Sequence, residues 1–354
     1  MNRKLAHLRR LVRLSEAKAN LPERTLLHAG PPFKGKPPRA VMAAAEQAVV
    51  VGGFAGDAVT ARAMLEAGSL LLEPAQDHGV VVPLAMVVAP SMWCLEVGDK
   101  DNVFYSPVSE GPPPALRFGS ADPLCVTRAR DWTAEAAQAI NPQLATLPDV
   151  ESMMRQALRS GDDCHAITRA GNELFLELLN KTPAGIAADI RANPGFVLGI
   201  WMAWAAWKLQ ASASEIVAIG GNGIEFGLRR RGTTRWATVP CAPPTGIRFN
   251  SQQEAPALGA IGDSALVDVC GFGGQALNHA PMLAAEWAHL LPPDAQTRGC
   301  AIIHRDRGVI DIEAVRATGV MPIINLAILD ERGAAAPIGR GFYIVPPTLF
   351  GTGD

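Results

Sequence analysis

The chain has 354 residues, of which 48% are hydrophobic and 19% charged, with a formal net charge of -2. That length carries two or three units with a real core, the composition excludes a disordered chain, and the near-zero charge excludes the basic field that draws nucleic acids. Six scattered cysteines with no CxxC pair and no secretory signal ahead of them are expected to be reduced thiols of a cytoplasmic protein, neither a disulfide framework nor a zinc site.

At the start, Leu5, Leu8, Leu11, Val12 and Leu14 fall at helical spacing on a basic background, which predicts an amphipathic helix docked on the fold or on another subunit. A membrane-surface or targeting helix is the competing reading. Arg24–Ala29 reads as a strand and GPPFKGKPP, residues 30–38, as a loop, because proline denies the backbone both helix and ladder bonds. Then come a helix at Arg39–Ala48, a strand at Val49–Gly53, a helix at Ala58–Ala67, and strands at Val80–Val88, Trp93–Val97, Asn102–Tyr105 and Leu116–Phe118. The texture next turns helical, at Asp131–Ile140, Asp149–Arg159, Asp162–Leu179, Ile186–Arg191 and Phe196–Gln210. The most apolar run, Phe196–Trp207, is shorter than the roughly 20 residues of a membrane span, so it reads as a buried helix. Strands return at Ile216–Gly220, Glu225–Arg230, Arg235–Val239 and Ala265–Val269. A helix at Gln275–Leu290 follows, then strands at Cys300–His304, Met321–Ile328 and Gly341–Val345. The expected fold is α+β: two mixed α/β units, residues 1–130 and 215–354, with a small helical domain, 131–214, between them.

Several short motifs carry chemistry. Residues Gly30–Pro37 nearly match a phosphate loop, but Pro37 stands where the magnesium-binding hydroxyl belongs, so no ATPase is expected; Lys34 and Lys36 either contact an anion or are simply solvated. Gly271, Gly273 and Gly274 flank Phe272 at a turn into a predicted helix, where free amides suit a phosphate or carboxylate, or where the turn is merely tight. Asp263 and Ser264 form a polar turn, with Asp263 orienting a donor or capping the next element. In GDDCH, Asp162 and Asp163 suit a helix start, and His165 in the first turn is available for proton transfer if that end faces a cleft. His28 ends a predicted strand, and His78 stands beside Asp77. No HxxxH, HExxH or GxSxG occurs, so neither a metal site, a cofactor nor a serine hydrolase is expected.

The segments LLHAGPP (26–32), HGVVVPLAMVVAPSM (78–92), LRFGS (116–120), ALRSGDDCH (157–165), GNGIEFG (221–227), AIGDSALVDVCGFGG (260–274) and VMPIIN (320–325) stand in the order seen in YlbE-like proteins. The chain resembles that family over nearly its whole length. The resemblance implies an oxamate carbamoyltransferase-type subunit that moves a carbamoyl group between a small carboxylated ureide such as oxalurate and phosphate, as in anaerobic allantoin use. It also implies partner subunits, one of them similar to acyl-CoA synthetases, with self-association left open and neither nucleic acid nor membrane as partner.

On that reading His78 and His165 move the proton, Asp163 and Asp263 orient them, and His28, Gly30, Asn222, Glu225, Ser264, Gly273, Gly274 and Asn325 bind substrate or anion. Arg235 or Lys36 pairs with the substrate's charge. The sequence departs from the family pattern at Gln76–Gly79, where only His78 remains of a histidine run, and at Ala166–Thr168, Ile224–Gly227 and Leu326–Asp330, where polar groups give way to apolar ones. A changed substrate or lost chemistry follows from these exchanges. A structural or regulatory subunit, and an amidohydrolase or ring-opening enzyme on the same fold, therefore stay open beside the transferase.

Overall fold

In the computed structural model, which describes residues 4–193, 195–249, 254–333 and 336–351, the leucine-rich start is a strand, β1 (His7–Arg13), instead of the helix its spacing predicts. Residues 1–3 of that expectation lie outside the described residues. Leu8 and Leu11 are three apart, which in a regular strand places them on opposite faces. The register against residues 93–98 shifts between Leu8 and Arg10, however, and the extra residue of this bulge returns both leucines to the buried side. A bulged strand thus uses the same spacing as a helix.

After α1 (Leu14–Ala17) come β2 (Thr25–His28) and α2 (Arg39–Val51). Helix α2 runs through Val49–Val51, where a strand is expected, because nothing in its alanine-rich run stops it before Gly52. Next are α3 (Ala58–Glu66), capped by Asp57, then β3 (Leu71–Pro74), β4 (Val87–Val88), β5 (Trp93–Gly98) and β6 (Val103–Pro107). Most of the strand expected at 80–88 is irregular, and Leu116–Phe118 is a 3-10 turn. Helix α4 (Leu124–Thr127) continues through a π turn into α5 (Thr133–Ile140), followed by α6 (Val150–Arg159), α7 (Arg169–Leu178), α8 (Ala184–Ala192) and α9 (Phe196–Ala211).

The remaining strands and helices are β7 (Ile216–Asn222), β8 (Glu225–Arg230), β9 (Ala237–Pro240), β10 (Thr245–Arg248), β11 (Ile261–Gly262) and α10 (Ala265–Val269). Then come α11 (Pro281–Glu286), α12 (Arg298–Ile302), α13 (Ile312–Thr318), β12 (Ile323–Ile328) and β13 (Gly339–Ile344). Helices α10 and α12 replace predicted strands, since a short buried apolar run has no period to tell the two apart. The helix expected at Gln275–Leu290 is two 3-10 turns followed by α11.

The architecture is α+β, with four small sheets ordered β1-β5-β6, β3-β2-β4, β11-β7-β8-β9 and β10-β13-β12. Only β2 and β3 pair in parallel among these strands. Helix α9 is apolar on all sides and is buried accordingly; it packs on β5, β6, β7, α6, α7 and α10. The largest core cluster joins it to residues as distant as Ala6 and Phe350, while a second cluster gathers α2 with β2 and residues 80–94. Among the described residues no helix is long and apolar enough to cross a membrane. All six cysteines are free thiols.

Trp204 on α9 is 1% exposed and meets Phe272 edge to face at 5.5 Å. Trp204→Ala should lower stability by about 3–5 kcal/mol in urea titrations, and a loss under about 1 kcal/mol would show that α9 does not organise the core.

Candidate functional site

The loop between α6 and α7 is folded back on itself by two acids. Asp162 accepts from the Ala170 and Gly171 amides at 3.1 and 2.8 Å. It therefore caps α7 from seven residues ahead of the helix and not, as expected, from its first position. Asp163 accepts from the amides of Ala166 and Ile167, at 3.0 and 2.6 Å, and from Asn325 Nδ2 at 2.7 Å. Directly after them Cys164 takes φ +67°, a conformation that costs a non-glycine residue about 1–3 kcal/mol. His165 thus stands on a strained loop instead of in a first helical turn.

The His165 ring is fixed by Asp268. Nδ1–H donates to Asp268 Oδ2 at 2.6 Å, while Asp268 Oδ1 accepts from the amides of Gly274, at 2.7 Å, and Asn325, at 3.1 Å. This contact assigns the Nδ1–H tautomer and leaves Nε2 for the cavity that His165 lines. Burial pulls the imidazole pKa down, but the charge and hydrogen bond of Asp268, helped by Asp163, outweigh it and raise the pKa above the usual histidine value. Burial raises the Asp268 carboxyl, with His165 and the two amides pulling it back. Gly273, at φ +53°, lets this pair close, because a Cβ there would fall on the Asp268 carboxylate.

The cavity holds about 280 Å³ and is walled mostly by apolar side chains, among them Leu84, Phe118, Leu198 and Leu326. Ser264 lines it with a buried hydroxyl that has no hydrogen-bond partner among the described residues. Arg117, which no sequence motif assigned, lines it as well and is 4% exposed. Its Nη1 donates to Ser109 Oγ at 2.8 Å and to the Gly111 carbonyl at 2.7 Å, and no carboxylate reaches ion-pair distance among the described residues. Burial lowers its pKa, opposed by the charge of nearby Glu110.

The other expected site residues do different work. Asp263 is fully buried and accepts from Gly30 N at 2.8 Å, Gln76 Nε2 at 2.6 Å and Val82 N at 2.8 Å, tying the start of the chain to β11. Gly30, at φ +74°, is a glycine because a Cβ would strike the Gly221 carbonyl. Asn222 builds a turn, donating to the Pro31 carbonyl and accepting from the amides of Ile224 and Glu225. Glu225 is bound by Lys34 at 2.6 Å.

His28 is buried, and burial lowers its pKa to about 4, so it is neutral, with Nδ1–H donating to Ala29 O. His78 bonds Glu73 at 2.6 Å beside a separate surface pocket and does not join His165. Lys36 and Arg235 are exposed and line no part of the cavity. The amides expected to hold an anion are engaged: Gly273 N donates to the Asp163 carbonyl and Gly274 N to Asp268. Among the described residues no cluster of three or more His, Cys, Asp or Glu side chains is placed to hold a metal ion. The sequence signal for Asp268 was a lone acid inside the apolar run ALVDV, and for Arg117 the segment LRFGS.

A family model described as oxamate carbamoyltransferase subunit AllG matches residues 70–264. Two proteins of Escherichia coli K12 are similar along 92% of this chain. Uncharacterized protein YahG is 28% identical with 77% of its length covered, and oxamate carbamoyltransferase subunit AllG is 27% identical with 87% covered. The crystal structure of a conserved protein of unknown function from Enterococcus faecalis V583 superposes with a TM-score of 0.85, at 25% identity, over 98% of this chain and 92% of that one.

Burial raises the Asp263 carboxyl from 3.8 to about 7, against the pull of Gly30, Val82 and Gln76. Folding therefore favours its proton, and this contribution is complete below the unfolded value and lost as the pH rises through 7. Asp162, raised to about 6 by burial, acts in the same direction. Urea titrations at about pH 5 and about pH 8 should show the wild type losing more stability than Asp263→Asn; equal losses would exclude Asp263 as the titrating group. Asp263→Ala strands the Gly30 and Val82 amides, at about 1–3 kcal/mol each.

Proposed function

The chain belongs to the family of oxamate carbamoyltransferase subunit AllG, and we propose that it is a subunit of a cytoplasmic carbamoyltransferase acting on a small carboxylated ureide and phosphate. The observation that carries the reading is the buried His165–Asp268 pair at the wall of a cavity of small-molecule size. With oxalurate as substrate, a phosphate oxygen attacks the terminal carbamoyl carbon, the bond from that carbon to the oxamate nitrogen breaks, and carbamoyl phosphate and oxamate leave.

His165 Nε2 takes the proton of the attacking phosphate hydroxyl and passes it to the departing nitrogen, so no net proton is consumed. Asp268 holds the ring in the required tautomer and stabilises the imidazolium. Asp163 and Asn325 hold the loop that presents it. Ser264, the sequence's substrate-binding candidate that does line the cavity, offers its unpaired hydroxyl to the ligand. The transfer takes place in a complex with other subunits, one of them resembling acyl-CoA synthetases.

A second reading, of a changed substrate, is favoured by one observation: two of the polar-to-apolar departures, Ala166 and Leu326, line this cavity.

The complex assembled with its partner subunits should form carbamoyl phosphate from oxalurate and phosphate. His165→Ala should lower this turnover by about 100-fold or more, and His78→Ala should leave it unchanged. Full activity in folded His165→Ala would overturn the role given to His165; no carbamoyl phosphate from any ureide carboxylate would overturn the transferase.

A further inference from the structure

Arg117 is a buried cation in an apolar wall. A guanidinium so placed is costly unless its charge is met; the Phe118 ring, 4.5 Å from Cζ, and nearby Glu110 offset part of that cost, yet among the described residues the guanidinium's only hydrogen bonds are the two from Nη1. The other cavity-lining arginine, Arg340, is already held by Glu286. The Nε–Nη2 edge of Arg117 is therefore the free one, and two parallel N–H groups match the two oxygens of a carboxylate.

Gly195 stands beside this edge. Its backbone, at φ -97° and ψ 5°, is open to any residue, so conformation does not require glycine there. A Cβ would lie 3.7 Å from Arg117 Nε, covering the edge that a ligand would use.

We propose that Arg117 is the carboxylate anchor of this cavity and restricts its ligands to small monocarboxylates whose remainder is an uncharged amide or ureide. The proposal rests on the reading of the cavity as the carbamoyl-transfer site and names the group that selects its substrate. Nη1, held by Ser109 Oγ and the Gly111 carbonyl, fixes the guanidinium plane, and the apolar walls leave a second carboxylate without a free cation. His165 then faces the uncharged end, where the C–N bond breaks.

Binding of oxamate and of its neutral analogue oxamide to the assembled complex, by calorimetry, tests the anchor apart from turnover. Oxamate should bind and oxamide should bind at least 10-fold more weakly. Arg117→Lys, which keeps the charge and loses the fork, should weaken oxamate by about 10- to 100-fold. Gly195→Ala, which leaves Arg117 in place, should weaken it by about 10-fold. Equal affinity for the two ligands, wild-type affinity in both folded variants, or no oxamate binding at millimolar concentration overturns the anchor. Arg117-dependent binding in a complex that forms no carbamoyl phosphate upholds the anchor while the transfer reading falls. Wild-type turnover and KM for oxalurate in Arg117→Lys does the reverse.

Discussion

A buried carboxylate must have its hydrogen bonds met, and three of them hold this fold together. Asp163, Asp263 and Asp268 are each fully buried, and each draws donors from segments far apart in the chain. Asp263 gathers Gly30, Gln76 and Val82; Asp163 and Asp268 share Asn325, one through its side-chain amide and the other through its backbone. Removing water from such groups makes unsatisfied alternatives expensive. The loops that meet these acids consequently have few other arrangements.

The same economy shapes the cavity. Asp268 and Asp163 supply negative charge on one side, His165 answers it, and Arg117 remains as a positive charge met by no carboxylate at ion-pair distance among the described residues. Low dielectric magnifies each of these charges, so a cation without an ion-pair partner in an apolar wall favours an anionic ligand, which is what the proposed carboxylate anchor requires. Strain is concentrated nearby. Cys164, next to His165, and Leu84, on the cavity wall, are two of the non-glycine residues with positive φ, and the backbone around them is held by the buried acids.

Helices with plain caps and strong periodicity were readable in advance. Helices α3, α6 and α9 fall within a few residues of their expected bounds, since an N-cap aspartate or an apolar face states its purpose locally. Strand β1 was unreadable because the bulge that realigns Leu8 with Leu11 is a property of its pairing with β5. Helices α10 and α12 were unreadable because burial on all sides erases the period. Among the site residues, His165, Asp163 and Asn325 do meet, while His78 and His28 are held elsewhere by Glu73 and by the Ala29 carbonyl.

By itself the sequence determined the α+β class, the apolar central helix, the free thiols and the order of motifs that led to a carbamoyltransferase family. Those depend on composition, on periodicity and on linear pattern. Only the tertiary structure decided that Asp268 fixes the histidine, that the glycine amides of 273–274 are already engaged, and that Arg117 lines the cavity with no carboxylate at ion-pair distance among the described residues. The His165–Asp268 and Gly273–Asp163 contacts join segments far apart in the chain, chosen by which buried donors and acceptors come within reach. Nothing in the chain's local order encodes that choice.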